Sequence, residues 1–449
     1  MIIATGDLAM GINMPCKTVI FAGDNTQLTA LNYRQAAGRA GRRGFDLIGN
    51  VIFHGVPLDS ALRLISSRLP KLRGHFPMST SLVLRLCILL SNSKDSEHAK
   101  TTINTLLRQP RLVIGAESNP KQVLHHLRFS IEYLRRKKLL GEGGSPLNYA
   151  AMAGHLYASE KGAFALHTLL VEGYLSSLCK DFVTADIRGK EKICEEFMLV
   201  LAHLFVRRSV PHGRHGVRLL PPLPQGALAV MNEWNAETLE TYTTYVETFA
   251  KQYCADTPDA TLPFSQTTVG GSGVAPVPKR TRARSNFVAL SGHTDSFASI
   301  KDLSSSLRSG IFFEGSAVPY LMFGEKARLN SFLLDFYIHG DTKKLAAENH
   351  VTQGVVWYVL KDFADTLAII RKGLIAWIRD GPGAYFEVMP GEREAEEGVD
   401  EMNDDEIEDE IEESEMAEAE GRRKAVVDVL RVLKEVLARF NEQFRPIYA

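Results

Sequence analysis

The chain has 449 residues, 45% of them apolar and 23% charged, so most of it can bury a core and it has room for about three domains of ~150 residues. Its longest apolar runs, such as Met198–Val206, fall far short of the ~20 residues a bilayer demands, and its start lacks the basic-then-apolar pattern of a signal peptide, so no membrane association is expected. The net charge of −1 conceals an acidic tract, Gly391–Glu420, with 17 Asp/Glu and one Arg; elsewhere 51 Lys/Arg face 36 Asp/Glu, the layout of a protein that meets polyanions.

Met1–Ala4, Lys17–Ala22 and Asn50–His54 are short β-branched and aromatic runs that read as buried strands. Leu28–Arg42 has helix-forming composition and follows the turn-like Gly23-Asp24-Asn25-Thr26. Strand, connection, strand, helix, strand is the order of a parallel α/β sheet. From Val56 the pattern turns all-α. Leu58–Leu69 is a helix, Ser79 is the N-cap of a helix over Thr80–Leu90, and a third runs near Glu97–Arg108. Arg111–Ala116 reads as a strand, and short helices with a terminal strand fit a winged helix. Leu127–Val206 continues helical, with breaks expected at Gly141–Gly144 and Arg188–Gly189.

After the proline-rich Leu219–Pro224, a helix carries Trp234, Tyr242, Tyr245 and Phe249 at helical spacing, a pattern more common in core packing than in a base-stacking platform. Asp256–Pro278 reads as a linker and ends in the basic run Lys279–Arg284, an RNA-binding arm or a nuclear-import signal. Val356, Leu360, Phe363, Leu367, Ile370, Leu374 and Trp377 step by four and three, a helical stripe that Thr352 can cap and Gly381-Pro382 can end. The acidic tract is expected to be disordered. Val426, Leu430, Leu433, Leu437, Phe440 and Phe444 repeat the stripe at the end of the chain, and there it reads as a docking or coiled-coil face for a protein partner.

Chemistry concentrates in Tyr33–Gly44, YRQAAGRAGRRG, which places four arginines and three glycines in a helix and its exit. Glycine costs about 1 kcal/mol against alanine in a helix, and clustered arginines repel one another, so local stability does not explain the string. Arg39 and Arg42 are three apart and, on a continuing helix, leave one face, where two guanidinium forks suit a polyphosphate. The competing reading is a solvated basic helix. The phosphate reading requires that internal carboxylates leave both arginines unneutralised. Arg207, Arg208, Arg214 and Arg218, interleaved with His212 and His215, read first as a solvated loop and second as a nucleic-acid-facing one.

With its neighbours, this string resembles a known family. Ala4–Pro15, ATGDLAMGINMP, is similar to motif V of superfamily-two DExH-box helicases, and Tyr33–Gly44 is similar to their motif VI, QxxGRAGR. The combination looks most like the Ski-type (superkiller) RNA helicases, in the branch related to antiviral DExD/H-box proteins. The resemblance implies that Thr5 and Gly6 lie at RNA phosphates and that Gly11 and Asn13 face the nucleotide. It also implies that Gln35 orients the γ-phosphate or its attacking water and that Arg39 and Arg42 are arginine fingers. Many relatives carry an acid directly after the threonine; here it comes one place later, at Asp7.

Weaker likeness, from Leu69-Pro70-Lys71-Leu72-Arg73-Gly74-His75-Phe76 onward, extends to the family's winged helix and helical domain. The expected architecture is α/β followed by mostly α. It comprises a partial second RecA-like lobe (1–57), a winged helix (58–118), a helical domain (119–255) and a basic linker (256–295). A second helical block (296–390), an acidic tract (391–420) and an amphipathic helix (421–449) complete it.

Neither a GxxxxGK[ST] loop nor a DExH acid pair on a strand occurs in the chain. ATP and Mg²⁺ are therefore expected to bind only together with a further RecA-like lobe, and a sheet that lacks its preceding strands is expected to leave an open apolar face. The expected function is the C-terminal part of an ATP-dependent RNA helicase, not autonomously an ATPase, with RNA as partner; the alternative is a non-catalytic RNA- or protein-binding module. Five cysteines without a CxxC pair fit a reducing compartment, cytoplasmic or nuclear.

Overall fold

The computed structural model describes residues 3, 16–23, 28–42, 44–67, 79–107, 118–210, 216–253, 318–324, 327–351, 353–388 and 417–448. Expectations for Met1, Ile2, Ala4, the strand at 111–116, the cap at Thr352, the linker and the acidic tract through residue 416 lie outside these.

Strands β1 (Thr18–Ala22) and β2 (Asn50–His54) pair in parallel, with Thr18 opposite Asn50 and Phe21 opposite Phe53. Between them, helix α1 (Ala30–Ala37) starts where the Thr29 hydroxyl accepts the Asn32 N–H at 3.2 Å. The two-residue alternation of a strand sends Phe21 and Phe53 to the α1 side, where they stack with Tyr33 at centroid distances of 5.4–5.7 Å. Ile20 and Ile52 point the other way and remain exposed. Helix α2 (Leu58–Ser66) packs against α1 and is tied to it by the Arg34 guanidinium donating to the Ser67 carbonyl at 2.9 Å.

The remainder is helical. Ser79 caps α3 (Thr80–Asn92) as expected, its hydroxyl accepting the Leu82 N–H, and half-buried Glu160 accepts the Ser81 N–H at 2.7 Å. Helices α4 (Glu97–Leu107) and α5 (Ser118–Arg136) follow, and then the Gly141–Gly144 turn that the sequence marked. Helix α6 (Ala150–His155) is built of small buried residues, which lets it lie close to α3. Helix α7 (Glu160–Val171) is buried continuously from Gly162 to Leu170, the mark of a helix enclosed on every side. Gly162 is required there, because a Cβ would meet the Leu204 carbonyl oxygen at 2.4 Å.

Helix α8 (Tyr174–Cys179) leaves Gly173 at φ +77°, and α9 (Ile187–Leu204) follows. Arg188–Gly189 is therefore no break: Asp186 caps α9 by accepting the Gly189 N–H at 2.8 Å, so the glycine sits in the first turn. In α10 (Gln225–Tyr253), Trp234 and Tyr242 are buried and the Trp234 indole donates to the Tyr133 hydroxyl at 3.0 Å. These two aromatics pack the core; the Phe249 side chain lies outside the described residues.

Helices α11 (Phe332–His339), α12 (Thr342–Glu348) and α13 (Gln353–Asp380) precede α14 (Ala417–Tyr448). All seven residues of the predicted α13 stripe are buried, and Gly381 stops the helix at φ +88°. Helix α14 packs along α13 and also meets α8, α9 and α11. Its stripe, expected to dock a partner, is buried inside the chain: Val426, Leu430, Leu433, Leu437, Phe440 and Phe444 all join one apolar core that runs from α3 to α14. None of β1, α1, β2 or α2 contributes to that core. Among the described residues, no helix is long and apolar enough to cross a membrane.

Candidate functional site

The helix expected over Leu28–Arg42 ends at Ala37. Gly38 closes it, its N–H bonding back to the Arg34 carbonyl at 2.9 Å. Gly41 and Gly44 then adopt φ +91° and +84°, backbone that favours glycine and cannot continue a helix. Arg39 therefore lies in a turn and Arg42 beyond it, so they do not share a helix face. That inference from spacing fails because the glycines, recurring every third residue, break the periodicity it assumed.

The turn is anchored to the sheet. Cys16 N–H donates to the Arg39 carbonyl at 3.1 Å and Gly41 N–H to the Cys16 carbonyl at 2.7 Å, so Ala40 forms a parallel bridge with Cys16. The basic string is thereby fixed to Cys16, the residue that follows the motif V-like stretch. Gly49 permits the contact, since a Cβ on it would meet the Ala40 carbonyl oxygen at 2.4 Å. Gly49→Ala is expected to cost about 1–3 kcal/mol of local stability through overpacking. Amide exchange at Gly41 and Asn50 should then accelerate about tenfold or more while α7 keeps its protection; unchanged exchange at Gly41 would remove the close contact from the argument.

Arg42 is neutralised from within. Its Nε donates to Asp46 Oδ2 at 2.7 Å and a terminal nitrogen to Asp46 Oδ1 at 3.1 Å, while Asp46 Oδ2 also accepts the Arg42 backbone N–H at 3.0 Å. The hydrogen bonds from Arg42 hold the Asp46 carboxyl down at about 2, and the pair raises Arg42 above its ordinary value. A phosphate reaching Arg42 has to displace or join this carboxylate. Gln35 is exposed on α1 and Arg39 is half-buried in the turn. Thr5, Gly6, Gly11 and Asn13 lie outside the described residues, so of the expected set the structure describes only Gln35, Arg39 and Arg42. Asp46 is the residue that sequence reading missed, although an acid four places after an arginine is a recognisable pairing signal.

The second basic cluster differs from a solvated loop. Burial pushes the Arg207 guanidinium down to about 10, and it donates to the Met322 carbonyl. Arg218 pairs with Asp335 at 3.4 Å and Glu348 at 3.2 Å. Arg214, His212 and His215 lie outside the described residues. Among the described residues, no group of three or more His, Cys, Asp or Glu is arranged to hold a metal ion.

Known proteins resemble the chain in sequence. Residues 72–154 match the family model "DDX60-like, winged helix domain". The human "Probable ATP-dependent RNA helicase DDX60-like" is 32% identical over 395 residues, covering 83% of this chain and 23% of that protein. Over most of its length the chain is homologous to DDX60-like ATP-dependent RNA helicases. A Dictyostelium discoideum protein called an uncharacterized helicase is 26% identical over 85% of this chain and 28% of its own length. The Saccharomyces cerevisiae "Antiviral helicase SKI2" is 36% identical over 94 residues, 18% of this chain and 7% of that protein. The chain thus spans about a quarter of the length of the first two relatives. A winged helix and a small parallel sheet, set in a mostly helical chain, are the parts of the expected architecture that now stand.

Proposed function

We propose that the chain acts as the C-terminal, RNA-handling part of an ATP-dependent helicase of the Ski type. In this reading β1, α1 and β2 belong to a second RecA-like lobe, and Thr5 and Gly6 meet RNA phosphates. Gly11 and Asn13 face the nucleotide, with Gln35 and Arg39 beside its terminal phosphate. ATP and Mg²⁺ bind only when a further lobe supplies the phosphate loop and the acid pair, so this chain alone does not hydrolyse ATP. The described residues fit ATP in one respect, by offering arginine at the turn. The observation that carries the reading is the 32% identity to the human relative across 83% of the chain. In this reading the chain works in a reducing compartment, cytoplasmic or nuclear.

The Arg42–Asp46 pair favours a second reading, a non-catalytic RNA-binding module of the same descent. Both readings predict that the purified chain binds single-stranded RNA with affinity that falls as salt rises, measured by fluorescence anisotropy. Steady-state phosphate release should stay at background with or without RNA. RNA-stimulated turnover by this chain alone would overturn the claim that it needs another lobe, and absence of RNA binding would overturn both readings. Asp46→Asn separates the two. In a longer chain that includes the other lobe it raises ATP turnover if Arg42 serves the phosphate, and leaves turnover at background in a non-catalytic module.

A further inference from the structure

Trp234 and Tyr242 of α10 pack the core, but an exposed ring beside positive charge, the combination on which nucleobases stack, occurs elsewhere. It lies where the winged helix meets the helical body. Arg85 belongs to α3, inside the stretch that matches the winged-helix family, and Tyr157 opens the short 3₁₀ turn Tyr157–Ser159 that joins α6 to α7. The Arg85 guanidinium carbon sits over the Tyr157 ring, 4.5 Å from its centroid. Tyr157 is nevertheless 46% exposed, and Arg85 is exposed as well.

Two features set this pair apart from an ordinary packing contact. The first is charge. Arg42, Arg136, Lys138 and Arg218 each pair with an acid, whereas no carboxylate among the described residues pairs with Arg85. An exposed cation–π contact adds little stability, and the entropy of ordering a long side chain offsets it, so the fold alone does not account for the pair. The second is preorganisation. The stem of Arg85 lies against Gly154 of α6, where a Cβ would meet Arg85 Cγ at 3.6 Å and Ile88 Cδ1 at 3.0 Å. Stem and head are thus both placed before any ligand arrives. Leu89, one turn along α3 from Arg85, adds exposed apolar surface on the same face. Two residues before Tyr157, the His155 Nε2 donates to the Phe386 carbonyl at 2.8 Å, and its ring lies 6.2 Å from that of Tyr385, a second exposed ring at this junction.

A guanidinium and a tyrosine ring both accept a nucleobase on their faces, and the arginine's N–H groups serve an adjoining phosphate. An acidic peptide would answer the cation and leave the ring unused. We propose that Arg85 and Tyr157 form a base-stacking platform for single-stranded RNA, one base lying on the exposed part of the pair with its phosphate beside the guanidinium. This rests on the RNA-binding reading above and adds to it a place where a base is held as well as the backbone. Bases in a duplex are already stacked on one another, so the platform favours unpaired strands.

The test uses the whole chain with a short oligouridylate and an abasic strand of the same length, which carries the phosphates without the bases. In anisotropy, Tyr157→Leu should weaken oligouridylate about tenfold and leave the abasic strand within about twofold. Its salt dependence should match that of the natural chain, because stacking releases no counterions. Tyr157→Phe keeps the ring and should bind like the natural chain, and Arg85→Gln should weaken both strands. Irradiating the natural chain with a strand that carries 5-iodouridine should crosslink the peptide containing Tyr157, identified by mass spectrometry. Undiminished oligouridylate affinity in Tyr157→Leu, or crosslinks confined to other peptides, overturns the platform while RNA binding itself stands. If Tyr157→Leu instead weakens a glutamate-rich peptide and spares RNA, the pair is a contact for an acidic protein and the platform is overturned. If the natural chain binds neither strand, the RNA reading and the platform fall together.

Discussion

Phe440→Ala should destabilise the helical body by about 3–5 kcal/mol, the usual cost of emptying a fully buried phenylalanine site. Phe440 is 0% exposed, and its ring lies 5.3 Å from both Phe336 and Phe363 and 6.2 Å from Phe444. These rings belong to α11, α13 and α14, so the truncation opens a void where three helices meet. None of them can relax inward without losing its own contacts. Urea unfolding followed by circular dichroism measures the loss directly. A change under about 1 kcal/mol would show that α14 contributes little to the fold, and would return its apolar stripe to the role of a docking face.

That substitution also marks what the sequence could convey. The stripes of α13 and α14 were legible because apolar residues stepping by three and four fit one face of a 3.6-residue helix. Their partner was not, because a stripe specifies that something covers it without specifying what. Position along the chain encouraged the docking reading, since α14 follows an acidic tract that separates it from the other helices. Packing against α8, α9, α11 and α13 decided otherwise. The break placed at Arg188–Gly189 failed for a similar reason. Glycine was given its usual disruptive weight, while Asp186, three residues earlier, was offering the cap that starts α9.

At the site, composition was legible and geometry was not. The helicase resemblance rests on residue identities in Ala4–Pro15 and Tyr33–Gly44, and homology to DDX60-like helicases agrees with it at that coarse level. The expected pair of forks on one helix face required a helix through Arg42, and Gly38 and Gly41 end it earlier. Asp46 stands four residues after Arg42, but only the folded turn shows that its carboxylate closes back onto that guanidinium. The hydrogen bonds that buried Asn349 donates to Asn330, Ser331 and Asp335 left no sequence signal at all. Those partners fall on a bridge and the start of α11, where no period links them to position 349.

Acidification should reveal a second large effect, seated in two buried histidines. His167 and His203 each place Nε2 2.8 Å from a carbonyl, that of Lys137 and that of Pro221. A carbonyl only accepts, so Nε2 carries the proton, and Nδ1 is a bare nitrogen buried without a partner. Protonating it puts a charge into the core, beside Lys137 and Lys138 for His167 and beside Arg207 for His203, and desolvation lowers both groups from 6.5 to about 4. Because the folded value lies below the unfolded one, the unfolded chain takes up protons first. The histidines' contribution is complete above pH 6.5 and is lost as pH falls toward 4. Between pH 7 and pH 4.5 each should remove about 2 kcal/mol of stability. Glu160 and Asp428, raised by burial, act in the opposite sense, and Asp46, held at about 2, titrates below this range. The His167→Gln/His203→Gln double variant keeps an N–H donor at each site and removes the titration. Urea unfolding at the two pH values should therefore show a smaller loss in the variant than in the natural chain. Equal losses in both would mean that acid acts elsewhere and that these imidazoles are open to water.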